Sequence, residues 1–259
     1  MVELEGAVAI VTGGFSGIGR AAAHLMAERG AEVHVIGIRP ERDAELELVG
    51  VEHHEVDVTD AQATTGVVDA VAARSGLDVL VTAAGIQRYG TVTDTRPDDW
   101  NALLDVNLTG TFHAVRAALP HLRLSGRGSI VIVSSVQAFV TQAAVAAYAT
   151  SKGALNALAR SIAVDEAGFS VRCNTVCPAS VETPMLRLAA RTFSDGSGQA
   201  VDDLIRSWGR MHPLGRVAQP FEVAEAIAFL AGERSAFITG IALPVDGGLL
   251  AKAAVVLPD

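Results

Sequence analysis

Aromatic side chains make up only 5% of this 259-residue chain, charged ones 19%, and cysteine occurs twice. Each scarcity excludes something. A β-sandwich would want more aromatics, whereas small aliphatics suit helices packed closely on a buried sheet. No apolar run reaches the roughly 18–20 residues that a bilayer span needs, because Gly, Ser, Thr or a charge interrupts every stretch. Basic runs are missing too. Lys and Arg number 20 against 29 Asp and Glu, a net charge of −9, which is the opposite of a nucleic-acid footprint. The opening MVELEGAVAIVTGG carries acidic residues where a signal peptide would be positive, and the chain reads as cytoplasmic. Cys173 and Cys177 lie four apart on a predicted strand, roughly 13 Å from each other at about 3.3 Å per residue. A disulfide requires about 7 Å or less. With no His or Cys near them in sequence, they make a poor metal site, so both are expected to pack a strand and no metal site is expected.

What the chain has in quantity is Ala, Val, Leu and Ile. Half of it is hydrophobic, which excludes disorder. Its length suits one α/β domain spanning 1–259. Short apolar runs at 7–12, 32–37, 52–57, 78–83, 129–135, 170–176 and 238–245 alternate with amphipathic segments near 18–30, 60–74, 98–122, 146–167 and 219–231, plus a weak one around 41–49. Continuous rather than alternating apolar strands predict a doubly wound parallel sheet with helices on both faces. Ligands in such a sheet bind at the strands' C-terminal edge, where strand order switches. The stretch 183–212, with its Gly/Ser/Asp cluster between two short helical patterns, breaks the rhythm over that edge and predicts a substrate lid.

The strongest local signal is Thr12-Gly13-Gly14-Phe15-Ser16-Gly17-Ile18-Gly19, directly after the first strand and opening the first helix. Glycines permit close backbone approach, and a helix N-terminus offers free N–H groups to a phosphate. Further along, Tyr148 precedes Lys152 by four residues within a helical pattern, which puts both side chains on one face. A free tyrosine is too weak an acid to act as a base at neutral pH, and a neighbouring ammonium favours its phenolate. Ser135 stands 13 residues earlier, at the end of a predicted strand whose tip faces the same cleft.

TGGFSGIG, Asn107 in a helix, Ser135, Tyr148-x-x-x-Lys152 and the closing Val245-Asp246-Gly247-Gly248 together resemble the short-chain dehydrogenase/reductase family over essentially the whole chain. The resemblance implies a Rossmann-like fold and an NAD(P)-dependent oxidoreductase. Tyr148 would be the general acid/base, and Lys152 would lower its pKa and hold the nicotinamide ribose. Ser135 would bind the substrate oxygen, and Asn107 would hold a relay water. Gly13, Ser16, Gly17, Ile18 and Gly19 would cradle the pyrophosphate. Asp57 and Val58 would meet the adenine; Ala84, Gly85, Pro178, Val181 and Thr183 would complete the cofactor site. Two departures stand out: Thr82-Ala83-Ala84-Gly85 where the family has Asn-Asn-Ala-Gly, and Pro178-Ala179 where it has Pro-Gly.

A carboxylate at the end of the second strand selects NAD, a basic residue NADP. That position is Gly37, followed by Ile38 and Arg39, with Arg42 close behind. No acid is present to reject a phosphate and a guanidinium is present to accept one, so the pattern leans towards NADP. Ser16, where NADP-dependent relatives place Arg or Lys, pulls towards NAD. Gln87, Arg88, Gln137, Gln142, Met185, Arg187, Arg191 and Trp208 are expected around the substrate, a small polar alcohol or ketone of the sugar, hydroxy acid or cyclic diol type. A homotetramer is expected from the resemblance, through the helices at 98–122 and 146–167. Apolar residues of the tail, such as Val255, Val256 and Leu257, are candidates to pack on a neighbouring subunit. The alternatives are a dinucleotide-binding redox sensor without turnover, and a dehydratase or epimerase of the broader family.

Overall fold

The computed structural model describes residues 4–38 and 44–253. Among them, seven strands form one parallel sheet: β1 (Val8–Thr12), β2 (Glu32–Gly37), β3 (Glu52–Glu55), β4 (Val79–Thr82), β5 (Ser129–Val133), β6 (Arg172–Pro178) and β7 (Ala242–Val245). Their order is β3-β2-β1-β4-β5-β6-β7. The chain runs outward in one direction through β1, β2 and β3, then returns to the other side of β1 with β4. The crevice at the C-terminal ends of β1 and β4 is therefore the switch point.

Alternate residues of each strand feed two cores. Ala9, Val11, Val33, Val35, Val79, Val81 and Val131 pack under α1 (Gly17–Glu28) and α9 (Pro220–Ala231), against Ala22, Met26, Val223 and Ile227. Val8, Ile10, Ile36, Leu80, Ile130 and Ile132 pack on the other face under α3 (Ala61–Ser75), α5 (Gly110–Ser125) and α6 (Ala146–Asp165). Burial on both faces is why the strands read as unbroken apolar runs. The short α2 (Ala44–Leu48) precedes β3, and α4 (Pro97–Leu104) precedes α5.

β6 is shifted by two residues, to Arg172–Pro178 from the expected 170–176, and three other strands depart from the sequence pattern for local reasons. β3 stops at Glu55 because Asp57 Oδ1 accepts from Thr59 N at 2.9 Å, a turn closed by a side chain. β5 stops at Val133, since Ser135 caps a short 3₁₀ turn by accepting from Gln137 N at 3.1 Å. β7 starts only at Ala242, after Gly240 at φ +75° has broken the extended chain. The segment expected as one helix at 98–122 is α4 and α5 joined by a π-helical turn, Asp105–Thr109. Cys173 and Cys177 are buried on β6 as free thiols.

The 183–212 excursion forms α7 (Pro184–Ser197) and α8 (Val201–Gly209). The Gly/Ser/Asp cluster expected as loop belongs largely to α7, which ends where Gly198 turns left-handed at φ +70°. These helices share a small core of Ala190, Leu204, Ile205 and Val217.

Candidate active site

One cavity of about 920 Å³ opens at the switch point, and its wall runs from the glycine turn past the ends of β1, β4, β5 and β6 to α7 and α8. Its size is at the upper end of small-molecule sites. Of the residues singled out from sequence, Gly13, Ser16, Gly17, Ile18, Gly19, Asp57, Val58, Ala84, Gly85, Ser135, Tyr148, Lys152, Pro178, Val181 and Thr183 all line it. Asn107 lies just behind the wall. Arg39 and Arg42 lie outside the described residues.

The glycine turn is set against β4 by hard contact. A Cβ on Gly13, which has φ +69°, would sit 2.5 Å from Ala84 N; one on Gly19 would sit 2.4 Å from Gly13 O. The turn therefore needs glycine for its own packing, and the Ala83 that replaces the family's second Asn leaves that approach intact. α1 then begins at Gly17 behind Ser16, whose side chain makes no capping bond, and the first turn carries no acid. Its first N–H groups lie along the cavity without intrahelical acceptors. A bare positive helix end beside closely packed glycines fits a pyrophosphate.

Asn107 occupies the middle of the π turn, fully buried. Its Oδ1 accepts from Ile86 N at 2.8 Å, and its Nδ2 donates to Ile86 O at 3.0 Å and to Ser151 Oγ at 3.2 Å. Ser151 Oγ in turn donates to Tyr148 O at 2.7 Å. The chain after β4 is thus tied through one amide to the first turns of α6. Lys152 Nζ donates to Val133 O at 2.9 Å, and Ser134 Oγ donates to Lys152 O at 3.0 Å, so the lysine is anchored to the tip of β5.

Burial dominates the titration of this group. It pushes the Tyr148 phenol up to about 12; a hydrogen bond from Ser135 works in the other direction, and nearby Tyr89 adds to the rise. It pushes the Lys152 ammonium down to about 8, opposed by Cys177. The expectation that Lys152 lowers the Tyr148 pKa is not met here. Loss of water raises the tyrosine and lowers the lysine, and the lysine is not among the influences on the tyrosine.

The substrate end differs from expectation in its charge. Gln87, Gln137, Gln142, Met185 and Trp208 line the cavity, but Arg88, Arg187 and Arg191 do not. Arg187 is held by Glu182 at 2.6 Å and Asp202 at 3.2 Å, which pins α7 to α8. Arg88 turns back to Gln87 O at 3.0 Å. Sequence reasoning named Trp208 but missed Tyr89 and Phe193, which complete an aromatic corner with it. Tyr89 meets Phe193 edge-on at 4.9 Å, and Phe193 meets Trp208 at 6.2 Å; all three line the cavity. The only signal available was Phe193 on the apolar face of α7.

Comparisons with known proteins show the family. Residues 13–250 match a family model described as enoyl-(acyl carrier protein) reductase. The cis-4-hydroxycyclohexanecarboxylate dehydrogenase of Sinomonas cyclohexanicum is 38% identical over 94% of this chain and 96% of its own length. The chain belongs to the short-chain dehydrogenase/reductase family. Among solved structures, the ligand-free aldohexose dehydrogenase of Thermoplasma acidophilum superposes with a TM-score of 0.94 at 38% identity, covering 100% of this chain and 99% of that one. Carveol dehydrogenase from Mycobacterium avium, solved in complex with NAD, gives 0.90 at 29% identity over 96% and 99%. This short-chain dehydrogenase is thus an NAD(P)-dependent oxidoreductase acting on CH–OH groups. Among the described residues, no helix is long and apolar enough to cross a membrane.

Proposed function

We propose that this enzyme interconverts a small, uncharged cyclic secondary alcohol and its ketone, with Tyr148 as the proton carrier. One observation carries the reading: Ser135, Tyr148 and Lys152 are brought together at the wall of the cavity that also receives the glycine turn. The bound nicotinamide supplies or accepts the hydride. Gly13, Gly17, Ile18 and Gly19 would hold its pyrophosphate, Asp57 and Val58 its adenine, and Ala84, Gly85, Pro178, Val181 and Thr183 the rest.

The protein's own share is proton chemistry. The Ser135 hydroxyl positions the substrate oxygen against the Tyr148 hydroxyl, which gives up a proton in reduction and takes one in oxidation. Lys152 shares the cavity with Tyr148 and is the cationic group through which phenolate charge can be balanced. Asn107, tied to Ile86 and Ser151, fixes the distance between the chain after β4 and α6 and would hold the relay water.

For the substrate, charge and shape decide. Asp57 and Lys152 are the charged residues of the described cavity wall, and both are assigned to the cofactor or the proton path. Gln87, Gln137, Gln142 and Gln199 offer neutral hydrogen bonds, while Tyr89, Phe193, Trp208, Met185 and Met211 offer ring-sized apolar faces. A hydroxylated alicyclic ring fits both sets better than a hydroxy acid. The relative named for aldohexose lends support to a neutral hydroxylated substrate, while the one named for hydroxycyclohexanecarboxylate supports the ring and not the absence of charge.

NADP is the proposed cofactor, because Gly37 places no carboxylate beside the cavity and Arg39 follows. A homotetramer is proposed through α5 and α6, which leave Phe112, Leu124 and Val164 exposed. A panel of cyclohexanols, cyclic diols, aldoses, hydroxy acids, steroids and long acyl ketones, run with NADPH/NADP⁺ and NADH/NAD⁺, tests the reading. Fastest turnover on neutral rings is expected, with NADP affinity weakened in Arg39→Ala. Preference for steroids or long acyl chains would overturn the substrate assignment, and unchanged NADPH affinity in Arg39→Ala would remove the phosphate role.

A further inference from the structure

Away from the cavity, β2 and β3 bring together three side chains that the site does not use. β2 pairs with β3 in parallel, with His34 opposite Glu52 and Ile36 opposite His54. His34, Glu52 and His54 thus project from one face of the sheet edge. His34 Nδ1 lies 3.1 Å from His54 Nε2 and 3.6 Å from Glu52 Oε2, and the three ligand atoms all fall within 4.8 Å of one another. Two imidazole nitrogens and a carboxylate oxygen thus converge on one point, with the two rings sharing a single hydrogen bond.

We propose that His34, Glu52 and His54 form a divalent transition-metal site, of which zinc is the best match. Tetrahedral zinc bonds of roughly 2.0–2.1 Å place neighbouring ligand atoms about 3.3 Å apart, and the spacings already present straddle that distance. The outer contacts are those a metal-bound histidine uses. His34 Nε2 lies 3.0 Å from Glu32 Oε1 and 3.2 Å from an Arg74 nitrogen; in the tautomer protonated at Nε2, which the Glu32 carboxylate favours, the Nδ1 lone pair faces the other two ligands. Glu32 is fixed by Ser75 Oγ at 2.8 Å and Arg74 at 3.0 Å. Arg74 also holds Glu52 Oε1 at 2.8 Å, so that Oε2 is the oxygen left for the metal.

The site has a route of entry and ligands in a usable state. His34 is fully buried, His54 half-buried, and Glu52 about half exposed at 48%, so an ion arrives from solvent on the Glu52 side with water as its fourth ligand. On binding, the His54 ring proton moves from Nε2 to Nδ1 and no proton need leave the protein. Glu32, Glu52 and Arg74 sum to one negative charge, which favours the cation. The site would clamp β3, the strand at the edge of the sheet, to β2. No residue spacing announces it, since the ligands come from two strands and meet only through the parallel register.

The test is a titration of chelator-treated enzyme with Zn²⁺, followed by calorimetry and thermal unfolding. One equivalent is expected to bind and to raise Tm. His54→Gln should weaken zinc binding at least 100-fold, and Glu32→Gln, which touches no metal, by roughly 10–100-fold. His24→Gln, on the Glu28 side of α1, should leave it unchanged. Should His54→Gln not fold, Glu52→Gln carries the same expectation. Absence of binding heat and of a Tm rise, or binding that survives the loss of His54 or Glu52, would overturn the assignment.

Discussion

The Lys152 ammonium stands 5.5 Å from the centre of the Tyr148 ring while donating to Val133 O at 2.9 Å. The lysine is thus held over the face of the tyrosine by the tip of β5, the lysine buried and the tyrosine part-buried at the cavity wall. Burial separates their titration, raising Tyr148 to about 12 and lowering Lys152 to about 8.

A stability profile follows. Between pH 8 and 10.5 the unfolded chain keeps its Lys152 proton while the folded enzyme sheds it, so the folded state gains stability as pH rises through that window. Between pH 10 and 12 the unfolded chain loses the Tyr148 proton while the folded enzyme keeps it, so stability falls. Lys152→Met should abolish the rise, worth at most about 3 kcal/mol. Urea midpoints of wild type and variant at pH 7.5 and 10 measure it; equal slopes would show that the ammonium is better solvated than its burial implies.

The glycine turn gives a paired prediction. Gly13→Ala forces a Cβ to 2.5 Å from Ala84 N at a positive φ, with backbone rather than a flexible side chain in the way. It should cost on the order of 2–4 kcal/mol and abolish dinucleotide binding. Gly66→Ala, in α3 with nothing within 4 Å, should instead stabilise by about 0.5–1 kcal/mol. Thermal unfolding with and without NADPH reads both.

Asn107 is a positioning residue as well as the proposed holder of a relay water. Asn107→Ala strands Ile86 N and O inside the protein, at about 1–3 kcal/mol for each unsatisfied group. Urea denaturation and steady-state kinetics should show a stability loss together with a fall in kcat, at nearly unchanged cofactor affinity. A variant as stable as wild type would mean that water replaces the amide.

The sheet was legible because VAIVT and SIVIV are nearly continuous apolar runs buried on both faces, and the fold then places every strand tip at one edge. The cavity wall was legible through the family pattern. The π turn was not, since the hydrophobic period runs through Asp105–Thr109 unbroken and only the pull of Asn107 on Ile86 reveals the extra residue. Spacing showed that Tyr148 and Lys152 share a face, but said nothing of burial, and burial reversed the expected direction of the tyrosine's pKa. Arg187 was a candidate for a substrate carboxylate or for plain solvation; spacing did not show that Glu182 and Asp202 would hold it instead.

The measurement that bears most directly on the proposed chemistry is the turnover of Tyr148→Phe on the best ring alcohol of the panel. Removing one oxygen should cut kcat at least 100-fold, while NADP(H) still binds and the fold still melts cooperatively. A variant that keeps more than half of wild-type turnover would contradict the assignment of the proton to Tyr148.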